Sequence, residues 1–248
     1  KTYTGLGAVA ELNKTLQGHL AVIIVAPYQH LVEQWVEDIR LFNMDPIIGY
    51  SASSQKDWKR RLENAIRNQK LSVKGAEFFC FICTNATYAS TYVQEQLQKI
   101  RGNCLFVVDE AHNFGATNLS KLLNENFQYR LALSATLERH HDEEGTQKLK
   151  SYFGEKCIEY TLERAIQEEK LTRYKYYPIM IELTDEEQQQ YFALTKEIEK
   201  YVKVDKRGRT SLSEKGKKMC IKRARLVAAA SAKIEALRQQ IFPYRNDT

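Results

Sequence analysis

Two short clusters in this 248-residue chain carry side chains suited to chemistry. Asp109-Glu110-Ala111-His112 follows directly on the apolar run Cys104-Leu105-Phe106-Val107-Val108, and Ser134-Ala135-Thr136 follows on Tyr129-Arg130-Leu131-Ala132-Leu133. An aspartate in such a place offers hard oxygens that can hold Mg on a phosphate, directly or through water. The neighbouring glutamate can orient or deprotonate an attacking water. The small hydroxyls of Ser134 and Thr136 can bond to the acidic cluster and report its state to a neighbouring domain. Alone, the first cluster reads as a surface acidic turn and the second as a capping turn. Their coincidence, each directly after an apolar strand, favours the functional reading.

The elements that must position these clusters are legible in the apolar pattern. Ala21-Val22-Ile23-Ile24-Val25 is short and β-branched, as a strand buried on both faces should be. Leu31, Trp35 and Ile39, flanked by Val32 and Val36, then form the stripe of a helix that packs back onto the sheet. The alternation repeats with Pro46 to Tyr50 and a charged helix from about Gln55 to Asn68. It repeats again with Glu77 to Cys83 and a helix from Thr91 to Ile100, and the two cluster-bearing strands follow with a short helical stretch near Leu119 to Leu123. Strands alternating with helices at this spacing predict an α/β fold, a parallel sheet covered on both faces. Such sheets bind ligands beyond the carboxyl ends of their strands.

From Lys156 the pattern changes. A strand is expected near Cys157 to Tyr160, a helix from Leu162 to Gln167, and an extended stretch from Tyr174 to Leu183. Thr184-Asp185-Glu186-Glu187 is a strong helix start, with a capping threonine and acids that complement the helix dipole. Its stripe is Tyr191, Leu194, Ile198, Tyr201 and Val202. Lys203 to Arg225 is rich in Lys and Arg and interrupted by Gly208 and Gly216, and an alanine-rich helix runs on to about Ile241.

The formal net charge is +6, a modest excess that favours polyanionic partners. No run of about 18 apolar residues occurs, so no membrane span is expected, and no signal-peptide pattern follows Lys1. The expected location is cytoplasmic, or nuclear in a eukaryote. Cys80 and Cys83 invite a zinc or redox reading, but they lie in the apolar run Phe78 to Cys83. Positions three apart in a strand point to opposite faces, so the two thiols cannot chelate together. His140, His141 and Asp142 form a polar cluster whose adjacent histidines are poorly disposed to share one ion.

The ordered set V-V-D-E-A-H, then L-A-L-S-A-T, preceded by I-I-V-A-P-Y-x-x-L-V-E-Q-W, resembles superfamily 2 helicases and translocases of the DEAD/DEAH-box kind. The resemblance covers Lys1 to about Phe153, closest to the group containing restriction-enzyme motor subunits and the UvrB and XPB repair helicases. It implies the first RecA-like (P-loop NTPase) domain, the helicase ATP-binding domain, over residues 1–160. Residues 161–248 are then a mostly helical extension and linker toward an absent second RecA-like domain. It also implies ATP and Mg as cofactors, with Asp109 and Glu110 handling Mg and water. His112 links the ATP site to motion of the partner domain, and Ser134 and Thr136 fill the coupling motif. Pro27, Tyr28 and Gln34 fall in the first nucleic-acid-contacting motif, and Thr84 and Asn85 in the next. Trp35 is read as core packing.

Lys1-Thr2 stand one helix before a strand, where that family's phosphate-binding loop ends. The expectation is that Lys1 reaches the β/γ-phosphate oxygens and that the Thr2 hydroxyl joins Asp109 on Mg. The glycines of such a loop are absent from the sequence, so ATP affinity and turnover by this chain alone are expected to be low. The function expected is a nucleic-acid-dependent ATPase, a helicase or translocase, with DNA ahead of RNA as partner and no membrane. The alternatives are the motor of a restriction or phage-defence complex, moving on duplex without strand separation, and a nucleotide-binding scaffold that no longer hydrolyses. The Lys203 to Arg225 run is either a solvated face or a phosphate-backbone contact.

Overall fold

Five apolar runs become the five strands of one parallel sheet. In the computed structural model, which describes residues 1–140, 142–204 and 210–242, the chain divides into two compact units, Lys1–Glu159 and Tyr160–Thr248. The first unit opens with α1 (Thr2–Thr15), β1 (Ala21–Ala26), α2 (Gln29–Leu41), β2 (Ile47–Gly49) and α3 (Trp58–Lys70). Next come β3 (Phe79–Thr84), the short α4 (Asn85–Tyr88), α5 (Thr91–Leu97), β4 (Cys104–Asp109) and a 3-10 turn (Ala111–Gly115). It ends with α6 (Thr117–Ser120), β5 (Tyr129–Leu133) and α7 (Glu143–Phe153). The strand order is β2-β3-β1-β4-β5 and every neighbouring pair is parallel.

Each strand feeds side chains to two cores, which is why β1, β3 and β4 are apolar without alternation. On one face Val22, Ile24, Cys80, Ile82, Leu105 and Val107 meet Leu6 and Val9 of α1 and Val32, Trp35, Val36 and Ile39 of α2. On the other, Ile23, Val25, Phe81, Cys83, Phe106 and Val108 meet residues of α3, α5 and α7. Cys80 and Cys83 thus lie in different cores, as the strand geometry required. Burial pushes the Cys80 thiol up to about 12 and raises Cys83 and Cys104 as well. The thiolate is the reactive form, so these three are expected to resist maleimide in the native protein while exposed Cys157 labels quickly. Mass spectrometry with and without denaturant checks this; fast native labelling of Cys80 or Cys83 contradicts the burial.

The second unit contains α8 (Leu162–Gln167), α9 (Asp185–Glu199), the antiparallel hairpin β6 (Val202–Val204) and β7 (Thr210–Leu212), α10 (Glu214–Ala228) and α11 (Ala232–Ile241). Thr184 and Glu187 form a full capping box at the start of α9, each satisfying a backbone N–H of the other. Three expectations need correction. No strand forms at residues 157–160, which are exposed; the run has strand-forming side chains but no pairing edge, and propensity alone does not hold a strand. Gly216 does not interrupt the basic run. It lies in the first turn of α10, where a Cβ would stand 2.9 Å from both Tyr201 Cβ and Leu212 Cδ2, so glycine lets the helix close on the hairpin and the end of α9. The alanine-rich stretch is two helices, α10 and α11, parted where the Ser231 N–H turns to donate to Glu187 Oε1 at 2.9 Å. Residues 174–183 carry no ladder, with Tyr176 and Met180 exposed. Lys206, Arg207, Gly208 and Arg209 of the basic run and His141 of the histidine cluster lie outside the described residues. No helix among the described residues is long and apolar enough to cross a membrane.

Candidate functional site

The parallel strands stop nearly level, and the chemistry-bearing residues gather at their carboxyl ends. Val25 of β1 pairs with Val108 of β4, Ala26 with Thr84 of β3, and Asp109 with Leu133 of β5. Pro27, Thr84, Asp109 and Ser134 therefore stand at one edge, although up to 107 positions separate them.

Asp109 is buried, 8% exposed, and a buried carboxylate needs donors. It has two. Oδ1 accepts the Glu110 N–H at 2.9 Å, and Oδ2 accepts the Trp35 indole N–H at 2.9 Å. Trp35 is packed in the core of α2 as expected, yet it also orients the carboxylate, a role that core packing alone did not foresee. A buried indole N–H has to find an acceptor, and that requirement was the available signal. Gly5 of α1 keeps this arrangement close: a Cβ there would stand 3.0 Å from Leu133 Cδ1 and 3.3 Å from the Trp35 ring.

Glu110 sits in the left-handed region, φ 48° and ψ 51°, which costs a non-glycine residue about 1–2 kcal/mol. The turn is held because the Glu110 carbonyl accepts both the backbone N–H of Asn113, at 3.0 Å, and its side-chain amide, at 2.9 Å. Strain of this kind collects where a side chain must be aimed. Here the aim brings Glu110 Oε1 within 2.6 Å of Lys1 Nζ, while Oε2 lies 3.4 Å from His112 Nδ1. Thr2, the first residue of α1, is half-buried beside Lys1 in the chain.

His112 bridges the two clusters. Its Nδ1 lies 3.3 Å from Ser134 Oγ, and Ser134 in turn donates to the Thr136 carbonyl at 2.6 Å. With the Ser134 hydrogen spent on Thr136, its oxygen faces His112 as an acceptor, as does Glu110 Oε2. Both neighbours thus suit a hydrogen on Nδ1. Thr136 itself is exposed, and it enters this chain through its backbone carbonyl rather than its hydroxyl.

Arg139 belongs to the same edge, and no pattern in the sequence marked it. Its guanidinium donates from Nη1 to the His112 carbonyl and from Nε to Asp142 Oδ2 at 2.6 Å, and its backbone N–H reaches Thr146 Oγ1 at 2.9 Å. The Arg139 hydrogen bond, followed by the Gly145 N–H, holds the Asp142 carboxyl below its usual range. Gly115 and Gly145 make room: a Cβ on Gly115 would overlap Arg139, and one on Gly145 would stand 2.7 Å from the Gly115 carbonyl oxygen. Arg139→Ala is expected to cost about 1.5–3 kcal/mol, the range for a charged hydrogen bond. Arg139→Lys is expected to recover little, because one ammonium cannot reproduce the planar fork. Urea denaturation of the two variants checks this, and an unchanged midpoint for the alanine variant contradicts it.

The remaining residues are less uniform. Tyr28 caps α2 with its ring exposed and stacked on His30, centroids 5.7 Å apart, and Gln34 is exposed one turn further on. Thr84 is buried and its hydroxyl caps α4, accepting the Thr87 N–H at 3.2 Å. Asn85 Oδ1 is buried with no hydrogen-bond partner among the described residues.

Residues 1–139 match the family model for the res subunit of type III restriction enzymes. The chain belongs to that family. Among the solved structures that resemble it are two, a restriction enzyme and a helicase domain. One is a nuclease-deletion mutant of the type ISP restriction-modification enzyme LlaGI in complex with a DNA substrate mimic, at 14% identity and TM-score 0.51, covering 80% of this chain and 20% of that one. The other is the Hef helicase domain of Pyrococcus furiosus, at 18% identity and TM-score 0.45, covering 81% and 41%. No curated protein matches. The chain spans less than half of either solved relative. The LlaGI likeness is one of fold, and it identifies the helix-flanked five-stranded sheet of this res-subunit relative as the RecA-like α/β arrangement.

Proposed function

We infer that this chain is the ATP-binding half of a nucleic-acid motor, an ATPase that couples hydrolysis to movement on DNA. The observation that supports it most is the meeting of Lys1 with Glu110 at 2.6 Å beside the doubly held Asp109, a cation and two carboxylates at the strand ends where α/β sheets bind phosphates. Both Asp109 oxygens keep a lone pair beyond the one each N–H occupies, and hard carboxylate and hydroxyl oxygens suit Mg, so Asp109 and Thr2 are the residues to hold it. Bound there, the ion would supply charge neutralisation to the phosphates.

The residues of the chain then divide the work. Lys1 pairs with Glu110 here and is the cation to turn toward the β/γ oxygens of ATP. That exchange frees the Glu110 carboxylate to accept a proton from the attacking water. His112, 3.4 Å from Glu110 Oε2, hydrogen-bonds to Ser134, which donates to the Thr136 carbonyl in the loop after β5, a route by which the state of the phosphate site reaches a second RecA-like domain. Tyr28 and Gln34, just after Pro27, offer an exposed ring and a side-chain amide to a nucleic-acid strand, and half-buried Asn85 stands at the neighbouring strand end. Thr84 acts by holding α4 and Asn85 in place.

The res-subunit family supports a second form of the same reading, a restriction motor that translocates on duplex without separating it. A non-hydrolysing scaffold is disfavoured by the intact acid pair, Asp109 and Glu110, set beside Lys1. The test is phosphate release, with and without duplex or single-stranded DNA, by a protein that joins this chain to a complete phosphate loop and a second RecA-like domain. Mg-dependent release stimulated by DNA supports the motor. No release with any nucleic acid, from a protein that binds DNA normally, overturns it. A strand-displacement assay separates the helicase from the translocase.

A further inference from the structure

The charge of this chain is confined to one unit. Residues 1–159 carry 18 Lys and Arg against 18 Asp and Glu, whereas residues 160–248 carry 19 against 13. The excess concentrates further, because residues 200–225 hold eleven basic side chains and two acidic ones. The strand-end residues proposed to meet nucleic acid therefore sit on a unit with no net charge, and the basic excess of the chain lies in the other unit.

Helix α10 presents part of it. Gly216, Met219, Arg223 and Leu226 recur at helical spacing, and all four are buried or half-buried. Arg223 is held inward, donating to Thr195 Oγ1 at 3.0 Å with its guanidinium 5.3 Å from the Tyr191 ring. Lys217 is tied to Glu214 at 2.7 Å. The other side carries Lys218, Lys222 and Arg225, spaced four and three residues apart and so on one face. All three are exposed, and their side chains have no ion-pair or hydrogen-bond partner among the described residues. We propose that this face of α10 is a second nucleic-acid contact, a phosphate-backbone rail that supplies most of the chain's sequence-independent affinity.

The geometry favours a nucleic acid over other polyanions. From Lys218 to Arg225 the helix rises about 10 Å, over which duplex DNA presents roughly six phosphate charges. A membrane-surface helix would turn its apolar side to the lipid, but here that side carries the buried and half-buried residues, and Ile221 is the large apolar side chain exposed near the basic face. The proposal rests on the reading of the chain as a nucleic-acid motor and adds where its electrostatic grip lies.

The test is fluorescence anisotropy of labelled duplex DNA with the whole chain over a salt series, without ATP. The triple variant Lys218→Gln, Lys222→Gln, Arg225→Gln is compared with a charge-matched triple on the other unit, Lys14→Gln, Lys56→Gln, Lys74→Gln. Each phosphate contact contributes about 0.9 to the slope of log affinity against log salt. The α10 variant is therefore expected to lose up to about 2.7 of slope and to bind much more weakly at low salt, while the matched control keeps the wild-type slope. Equal losses in both variants, or none in the α10 variant, overturn the rail, as does tighter binding to phosphatidylserine vesicles than to DNA at the same salt. Circular dichroism confirms that the variants fold. DNA-stimulated ATPase, in a protein that joins this chain to a second RecA-like domain, with an unchanged slope defeats this proposal alone, and a lost slope with no ATPase from that protein defeats the motor reading alone.

Discussion

Glu110→Gln is expected to slow DNA-stimulated phosphate release about 10²–10⁴-fold, the usual contribution of a positioned general base, with ATP affinity little changed. The substitution keeps the shape of the side chain and an oxygen for Lys1, but removes the carboxylate that takes the proton from water. The pair it weakens is partly exposed, 44% at Lys1 and 31% at Glu110, and such pairs contribute about 1 kcal/mol or less, so thermal stability should barely move. That combination separates a catalytic role from a structural one. Stopped-flow phosphate release and nucleotide titration in the protein that carries these residues make the measurement. A variant with wild-type turnover removes Glu110 from the chemistry, and one that unfolds assigns it to the fold.

Trp35→Phe is expected to destabilise the first unit by about 1–3 kcal/mol, the cost of leaving a buried charged acceptor one donor short, and to weaken the dependence of ATP binding on Mg. Phenylalanine keeps most of the ring packing between α1 and α2 and deletes the N–H that holds Asp109 Oδ2. Trp35→Ala also empties the core and should cost about 3–5 kcal/mol. Read by urea denaturation, wild type against the phenylalanine variant reports the hydrogen bond, and phenylalanine against alanine reports the packing. If the phenylalanine variant is as stable as wild type and retains its Mg dependence, the indole has no hold on the carboxylate.

Much of the first unit was legible because a strand buried on both faces has to be apolar throughout. β1, β3 and β4 could thus be read from Ala21, Glu77 and Cys104 onward, with β3 in fact beginning at Phe79, and the helices between them from the stripe they turn inward. The same logic placed Asp109 and Ser134 at strand ends. Reading failed where composition lacked a partner. Residues 157–160 had strand-forming side chains and no edge to join, and Gly216 looked like a break until Tyr201 and Leu212 were found against it.

By itself the sequence determined the alternating elements, the acidic cluster after β4 and the hydroxyl cluster after β5, since each depends on residues adjacent in the chain. Tertiary structure alone decided which side chains serve them. Lys1 reaches Glu110 across 109 positions, Trp35 reaches Asp109 across 74, and Arg139 reaches the His112 carbonyl across 27. No local periodicity encodes such pairs. They exist because the order β2-β3-β1-β4-β5 sets β1 beside β4, and the cores on both faces then fix the helices that carry Lys1 and Trp35 over the strand ends.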